Sequence, residues 1–177
     1  FVSNTHAHHD HLPGNKTLLD RTGAEFIDCQ KITGDDNVVL DDEILEIWPT
    51  PGHTNDSVSF VTAGFVVTGD TLFNGTVGNC FSGDLDAFYH SLKRLIKLPA
   101  ETMIYSGHDY FMESIQEAKR IEPYNGSIDK VAAGYNTELI VTTIADELKI
   151  NPYLRFNDPN MIEQLKNAGM SVDSELD

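Results

Sequence analysis

A chain of 177 residues, of which 40% are hydrophobic and 23% charged, has the length and composition of a globular protein with one substantial core. Its 28 acidic residues outnumber its 12 lysines and arginines and leave a formal net charge of −16. A surface this acidic repels phosphate backbones and anionic lipids, and no apolar run approaches the ~20 residues of a membrane-spanning helix, so we expect neither nucleic acid nor a membrane as a partner.

The first forty residues predict short elements around one helix. Residues 2–3 end a strand that leads directly into a cluster of histidines. Residues 15–22 predict a helix that Gly23 ends, and residues 24–28 predict a strand. The polar stretch 33–37 is expected to form a turn.

The middle of the chain predicts a sheet. Residues 43–48 indicate a strand that Pro49 ends, and residues 58–62 and 65–68 are β-branched runs joined by an Ala-Gly pair, which predicts a hairpin. Residues 102–105 indicate a further strand.

Helices become frequent after residue 83. Asp84 can cap a helix that runs to about Lys97 with apolar residues along one face, and residues 111–121 have the pattern of an amphipathic helix. A capping pattern at residues 143–146 predicts a short helix to residue 149. Asp158-Pro159 predicts a last helix that Gly169 ends.

The two cysteines, Cys29 and Cys80, provide neither a disulfide framework nor a Cys-x-x-Cys metal motif. They indicate free thiols in a reducing compartment, and on this cysteine usage alone we expect a cytoplasmic location. Because the chain starts at Phe1 rather than at a methionine, it is interpreted as processed or as a fragment that lacks its natural start.

The most informative segment is Thr-His-Ala-His-His-Asp-His at residues 5–11, with four histidines in six positions. Imidazole and carboxylate groups are ligands that borderline divalent metals prefer. His6 and His8 project to the same side of an extended chain and could reach one ion, and Asp10 and His11 could serve a second ion beside it. The alternatives are a solvated histidine-rich loop or a purification tag, and a tag would not normally interleave an aspartate in this way or lead into Leu-Pro-Gly.

Three further segments each place a potential ligand directly after a predicted strand. His53 follows Pro-Gly, Asp70 follows Thr-Gly, and His108 follows Ser-Gly. Each pattern alone is typical of a turn. Their joint occurrence after the histidine cluster predicts side chains that converge from separate parts of a rigid scaffold.

Together these segments resemble the metallo-β-lactamase superfamily, and within it they are similar to glyoxalase II, the hydroxyacylglutathione hydrolase family. The matching segments are residues 5–11, 51–54, 69–73 and 107–110, and the stretch 143–155 is similar to that family's helical C-terminal region.

The resemblance implies an α/β fold, a four-layer αββα sandwich whose first strands precede the histidine motif. We therefore expect residues 1–122 to form an N-terminally incomplete metal-binding domain and residues 123–177 a helical C-terminal region. An N-terminal segment or a partner chain would complete the sheet.

The resemblance also implies a ligand set for two divalent metal ions, zinc in the first place and iron or manganese as alternatives that the same ligands suit. The implied ligands are His6, His8 and His53 for the first ion, Asp10, His11 and His108 for the second, and Asp70 as a bridge between them. His9 has no ligand role in the family, and for His90 on the 84–97 helix a surface or core-edge position is expected rather than metal binding.

The activity implied is hydrolysis of a small-molecule thioester by a hydroxide that bridges the two metals, since a pair of ions about 3.5–4 Å apart lowers the pKa of a shared water toward ~7. Asp10 and Asp70 are the implied catalytic residues because they would orient this nucleophile. The thiolate leaves without a strong acid, because the pKa of a thiol is only ~8.5.

The substrate contacts depart from the family pattern. A basic residue and a tyrosine that contact glutathione in the family correspond here to Asn79 and Phe81, and Tyr110 matches a third contact position. The family's basic C-terminal contacts have no counterpart in the acidic end at residues 174–177. Glutathione carries carboxylates that an arginine or lysine usually recognises, so the resemblance supports thioester hydrolysis more than glutathione recognition.

Four alternatives remain open. A persulfide dioxygenase with one iron and a lactonase share the fold, and metal content, oxygen uptake and a lactone assay separate them from a thioester hydrolase. A non-catalytic binding module would not need the complete ligand set. An RNA-processing nuclease fits the ligands but not the net charge.

Overall fold

In a computed structural model, which describes residues 1–155 and 157–175, the chain forms strands and helices in mixed order and then mainly helices. The strands are β1 (Val2–Ser3), β2 (Phe26–Ile27), β3 (Asp36–Leu40), β4 (Glu43–Pro49), β5 (Val58–Val61), β6 (Phe65–Gly69), β7 (Leu72–Phe73), β8 (Thr76–Val77), β9 (Met103–Ser106) and β10 (Thr142–Thr143). The helices are α1 (Asn15–Thr22), α2 (Leu85–Leu95), α3 (Phe111–Ile121), α4 (Gly126–Ala132), α5 (Ile144–Ile150) and α6 (Pro159–Asn167). Leu176 and Asp177, which belong to the acidic end noted above, lie outside the described residues.

The main sheet has six strands in the order β10-β9-β6-β5-β4-β3. All neighbours in this sheet are antiparallel except β6 and β9, which run parallel. Strands β1 and β2 form a separate parallel pair, and β7 and β8 form a small hairpin. The parallel pair β6–β9 matters most for the site, because both strands end at the same edge.

Each face of the main sheet packs against a different partner. Val66 and Ile104 lie in one cluster with Leu92 and Leu95 of α2. On the other face, Ile47 packs with residues next to the β1–β2 pair, and α1 contacts β1. The layers are therefore, in order, the helices that include α2, the main sheet, the small β1–β2 sheet and α1. The predicted α/β class is confirmed.

Part of this second face is open. Phe65 and Met103 are paired across β6 and β9 and alternate with the buried Val66 and Ile104, so they point away from α2. They are 36% and 40% exposed. The expectation that another segment or a partner chain completes the sheet stays a prediction.

Local signals in the sequence account for the helix ends. Gly23 ends α1 with a φ of 64°, a left-handed conformation that glycine adopts without strain. Asp84 caps α2 by accepting a hydrogen bond from the amide of Ala87 at 2.9 Å. Before α5, Thr143 and Asp146 form a reciprocal capping box, so aspartate here replaces the usual glutamate.

Some boundaries predicted from the sequence are wrong. The stretch 33–37 is not turn throughout, because β3 starts at Asp36 and pairs with β4 as the edge strand of the sheet. Pairing along an existing strand outweighs the low strand propensity of aspartate and asparagine. The strand expected at 24–28 is limited to β2, and the α2 helix ends at Leu95 rather than near Lys97.

The C-terminal helices share cores with the rest of the chain. Ile128 of α4 and Ile150 of α5 pack with Phe111 and Ile115 of α3, and Ile144 belongs to the cluster under the main sheet. The division at residue 122 stays a prediction, and both clusters contain residues from either side of it. Among the described helices, none combines the length and the apolar character that crossing a bilayer requires.

The cluster between α2 and the sheet yields a stability prediction. Leu95 is fully buried, whereas Leu85 on the same helix is 64% exposed. We expect Leu95→Ala to lower the free energy of unfolding by about 3 kcal/mol, because it removes buried methyl groups and leaves a cavity. The matched control Leu85→Ala should change it by less than about 0.5 kcal/mol. Urea unfolding of both variants measures the difference, and equal effects would contradict the packing described here.

Candidate metal centre

The histidine segment begins where β1 ends. Its start is fixed by a hydrogen bond from the amide of Val58 to the carbonyl of Thr5 at 2.8 Å, and a turn closes where the amide of His11 donates to the carbonyl of His8 at 3.0 Å. His6 and His8 therefore follow directly after the strand, and the turn places His11 beside them.

Asp70 and His108 are brought together by the parallel strands β6 and β9. Gly69 pairs with Ser106 in the register of the sheet, and the amide of Gly107 donates to the carbonyl of Gly69 at 2.9 Å. The following residues, Asp70 and His108, leave the same edge. A Cβ atom on Gly107 would lie 2.2 Å from Oδ1 of Asp70, so this approach requires glycine.

One group of three ligand atoms comes from His6, His8 and His53. Nδ1 of His8 lies 3.1 Å from Nε2 of His6 and 3.0 Å from Nε2 of His53. His6 and His53 are buried, and His8 is half-buried. These atoms all lie within 4.8 Å of one another, which is the spacing of ligands around one cation.

A second group consists of Asp10, His11 and His108. Oδ2 of Asp10 lies 3.7 Å from Nε2 of His11 and 3.3 Å from Nε2 of His108. This group is more open than the first, since the side chain of Asp10 is 44% exposed.

Asp70 lies between the two groups. Its Oδ2 atom is 3.5 Å from Nε2 of His53 and 3.4 Å from Nε2 of His108, and its Oδ1 atom is 3.5 Å from Nε2 of His11. The structure thus brings together all seven side chains singled out in the sequence, His6, His8, Asp10, His11, His53, Asp70 and His108. Their roles as ligands stay a prediction.

The protonation state of the buried imidazoles suits metal binding. Nδ1 of His53 lies 3.0 Å from the carbonyl oxygen of Asn79, which can only accept, so Nδ1 carries the proton and Nε2 presents its lone pair to the cluster. Burial lowers the pKa of His53 and lowers that of His6 to about 4, in the latter case with help from the neighbouring His11. Both rings are therefore neutral at pH 7, as ligands must be.

Two buried polar atoms of the cluster have no hydrogen-bond partner in the part of the chain that the structure describes. Among the described residues, Nε2 of His11 and Oδ1 of Asp70 are buried side-chain atoms without a hydrogen-bond partner, although they lie 3.5 Å apart. A buried polar atom without a partner is costly, and a cation between them removes that cost. The donor set, imidazole nitrogens and carboxylate oxygens, therefore fits one or two divalent metal ions.

The three residues predicted to contact substrate flank the cluster. Phe81 is largely exposed, and its ring centroid lies 5.3 Å from that of His53. Tyr110 is half-exposed and stacks on His108 at 5.4 Å. Asn79 is exposed and contributes its carbonyl to His53. The cluster thus opens to solvent between aromatic side chains.

The two remaining histidines in question lie outside the cluster. The side chain of His9 is fully exposed. His90 is exposed on α2 beside Asp86, with 3.7 Å between Nε2 and Oδ1.

Sequence reasoning missed a set of residues that are hydrogen-bonded to one another next to the cluster. Glu147, Thr142, Asn74 and Ser106 form a buried hydrogen-bond network that reaches the backbone of His108. One signal was present in the sequence, because Glu147 lies three residues from both Ile144 and Ile150. An acidic residue at an apolar position of a helix indicates a buried polar function.

Comparison with known proteins agrees with this geometry. Residues 28–108 match the family model of the metallo-beta-lactamase superfamily. The hydroxyacylglutathione hydrolase of Chromohalobacter salexigens is 34% identical over 97% of this chain and 74% of its own length. That of Idiomarina loihiensis is 33% identical over 95% of this chain and 72% of its own length.

A solved structure shows the same fold. ETHE1 from Myxococcus xanthus matches with a TM-score of 0.65 and 27% identity, covering 99% of this chain and 73% of that protein. The predicted metallo-β-lactamase-type fold is confirmed by this likeness and by the family match. The chain belongs to the metallo-β-lactamase superfamily and, within it, to the hydroxyacylglutathione hydrolase family.

Proposed function

We propose that this chain is a metal-dependent hydrolase that cleaves small-molecule thioesters of the hydroxyacylglutathione type. The observation that carries the proposal is the position of Asp70, whose carboxylate lies within 3.5 Å of imidazole nitrogens from three separate segments. The relatives named hydroxyacylglutathione hydrolase support the reaction class.

Two divalent cations, zinc in the first place, would be held by this cluster. His6, His8 and His53 would hold one, Asp10, His11 and His108 the other, and Asp70 both. When bound, such cations supply Lewis acidity that lowers the pKa of water and polarises a carbonyl group.

Residues of the chain would orient the attacking water and bind the substrate. Asp10 has a pKa held below its usual value, first by a hydrogen bond from its own backbone amide, so at neutral pH it is an acceptor that can orient an attacking water. Asp70 is the second orienting carboxylate. Tyr110 and Phe81 would enclose the thioester between aromatic faces and limit the access of bulk water.

The thiol half of the substrate would contact Asn79 and Phe81, two uncharged side chains at the edge of the cluster. Where the family has a basic residue and a tyrosine, this chain presents Asn79 and Phe81, which can supply polar and aromatic contacts but no positive charge. The acyl group needs no charged partner, and a thiolate leaves readily. We also keep the cytoplasm as the proposed location, because Cys29 and Cys80 are both free thiols.

The primary test combines metal analysis with activity. We expect purified protein to contain two zinc ions per chain after reconstitution and to hydrolyse lactoylglutathione. Removal of zinc with a chelator should abolish the reaction, and added zinc should restore it. Fully metallated protein that leaves lactoylglutathione intact would refute the glutathione assignment. One iron per chain with oxygen uptake on a persulfide would favour a dioxygenase instead, and preferential lactone cleavage a lactonase.

Asp70→Ala tests the bridging carboxylate. We expect the variant to bind about one metal ion fewer per chain and to lose at least about 100-fold in kcat/KM, because metal assistance contributes several kcal/mol to such reactions. Asp86→Ala is the matched control, since Asp86 also lies near a histidine but on the exposed surface of α2. Elemental analysis and steady-state kinetics measure both effects, and an unchanged metal content in Asp70→Ala would count against the bridge.

Tyr110→Phe tests whether the hydroxyl of Tyr110 contacts the substrate. Removal of the phenolic hydroxyl should raise KM for the thioester about fivefold, the value of one ordinary hydrogen bond of about 1 kcal/mol. Tyr124→Phe is the control, because Tyr124 is almost fully exposed and lies outside the site. Initial rates over a range of thioester concentrations give KM, and equal KM values for the two variants would show that the hydroxyl of Tyr110 does not contact the substrate.

A further inference from the structure

Glu147 is a fully buried acidic residue on α5. Its carboxylate accepts hydrogen bonds from the amide of Gly75 at 2.9 and 3.0 Å, from the hydroxyl of Thr142 at 2.7 Å and from the side-chain amide of Asn151 at 2.8 Å. All three partners donate. A carboxylate is therefore the form that this environment satisfies, and no water is needed to complete it.

One branch of the network leads to a residue of the metal centre. The side-chain amide of Asn74 donates to the hydroxyl oxygen of Thr142 at 2.7 Å, and the hydroxyl of Ser106 lies 2.9 Å from the side-chain carbonyl of Asn74. The same Ser106 hydroxyl lies 3.0 Å from the backbone carbonyl of His108. Asn74 thus donates to Thr142 and Thr142 to Glu147, while the single hydroxyl proton of Ser106 is shared between the carbonyl oxygens of Asn74 and His108.

The second branch leads to the other side of the cluster. Gly75 has a φ of 86° and forms the turn between β7 and β8. This hairpin connects Asp70 to the segment that carries Asn79. Because the amide of Gly75 is bound by both oxygens of Glu147, the hairpin is fixed to α5 at its turn.

Stability alone does not explain a carboxylate at this position. Ile144 and Ile150 on the same helix are buried, so an apolar residue would continue the buried face of α5. Burial opposes ionisation and raises the pKa of Glu147 to about 7, although the hydrogen bonds from Thr142, Asn151 and Gly75 act in the opposite direction and favour the carboxylate. A buried charge costs free energy, and replacement of such groups by apolar residues is often neutral or stabilising. What the carboxylate provides is a fixed geometry for two segments that an apolar side chain could not hold.

We propose that Glu147 is a positioning residue for the metal centre, which acts through Thr142, Asn74 and Ser106 on His108 and through Gly75 on the segment that follows Asp70. This inference rests on the proposed metal-dependent function. It assigns to the C-terminal helical region a role in holding ligand geometry, at a distance from the ligands themselves.

The test uses a matched pair of variants at Thr142 in the full chain. Thr142→Val keeps the shape of the side chain and removes the hydroxyl that joins Asn74 to Glu147, whereas Thr142→Ser keeps the hydroxyl. Loss of support behind a ligand typically weakens metal affinity by 10–100-fold. We therefore expect Thr142→Val to weaken binding of at least one zinc ion by about tenfold or more, and Thr142→Ser to stay within about threefold of the parent. Competition with a chromophoric chelator measures the affinities.

A control separates positioning from a general loss of stability. Glu122 is buried and paired with Arg155, outside this network. Glu122→Gln should lower Tm and leave zinc affinity within about twofold of the parent. In Glu147→Gln, the amide of Gly75 should exchange with solvent faster, as observed by NMR, because an amide NH₂ group takes the place of one accepting oxygen.

The proposal is overturned if Thr142→Val lowers Tm but keeps the zinc affinity of Thr142→Ser, since the network would then be only structural. The Thr142 pair decides this even if Glu147→Gln does not fold. A parent chain that binds zinc but does not cleave thioesters would refute the proposed function and leave the positioning role standing. A parent that binds no zinc would overturn both.

Discussion

The structure depends on the carboxylate of Asp70, which lies among imidazole nitrogens from three separate segments of the chain. Nε2 of His53 and Nε2 of His11 each lie 3.5 Å from one of its oxygens, and the tautomer of His53 is fixed by the carbonyl of Asn79. Nε2 of His53 and the carboxylate oxygen beside it are therefore both acceptors and do not hydrogen-bond to each other. A rigid scaffold holds such atoms close together, and a cation between them would provide the missing partner.

The scaffold meets this requirement through backbone hydrogen bonds more than through the side chains of the site. The parallel pairing of β6 with β9 determines the separation of Asp70 and His108, and Gly107 allows the backbone to approach the carboxylate. The bond between Val58 and Thr5 joins the histidine segment to the same sheet. The geometry of the cluster is therefore a consequence of strand register, which a single side-chain substitution does not easily change.

The features that could be predicted from the sequence are those encoded by neighbouring residues. Gly23 and Asp84 mark helix ends, and the residue types between 5 and 11 carry the chemistry of the site, because capping and metal preference depend on local groups. The start of β3 at Asp36 could not be predicted in this way, since only pairing with β4 makes that residue extended. The partners of Glu147 could not be predicted in this way either, because Gly75 lies 72 positions away along the chain.

This separation in sequence has a consequence for how the two halves of the chain depend on each other. Leu154 and Ile144 pack in the cluster beneath the main sheet, and Glu122 is paired with Arg155 across the position where we divided the chain. Removal of the C-terminal helices would leave the partners of these residues exposed to water and would leave the amide of Gly75 without its acceptor. The helical region therefore belongs to the structural basis of the candidate site, although it contributes none of the seven side chains that meet there.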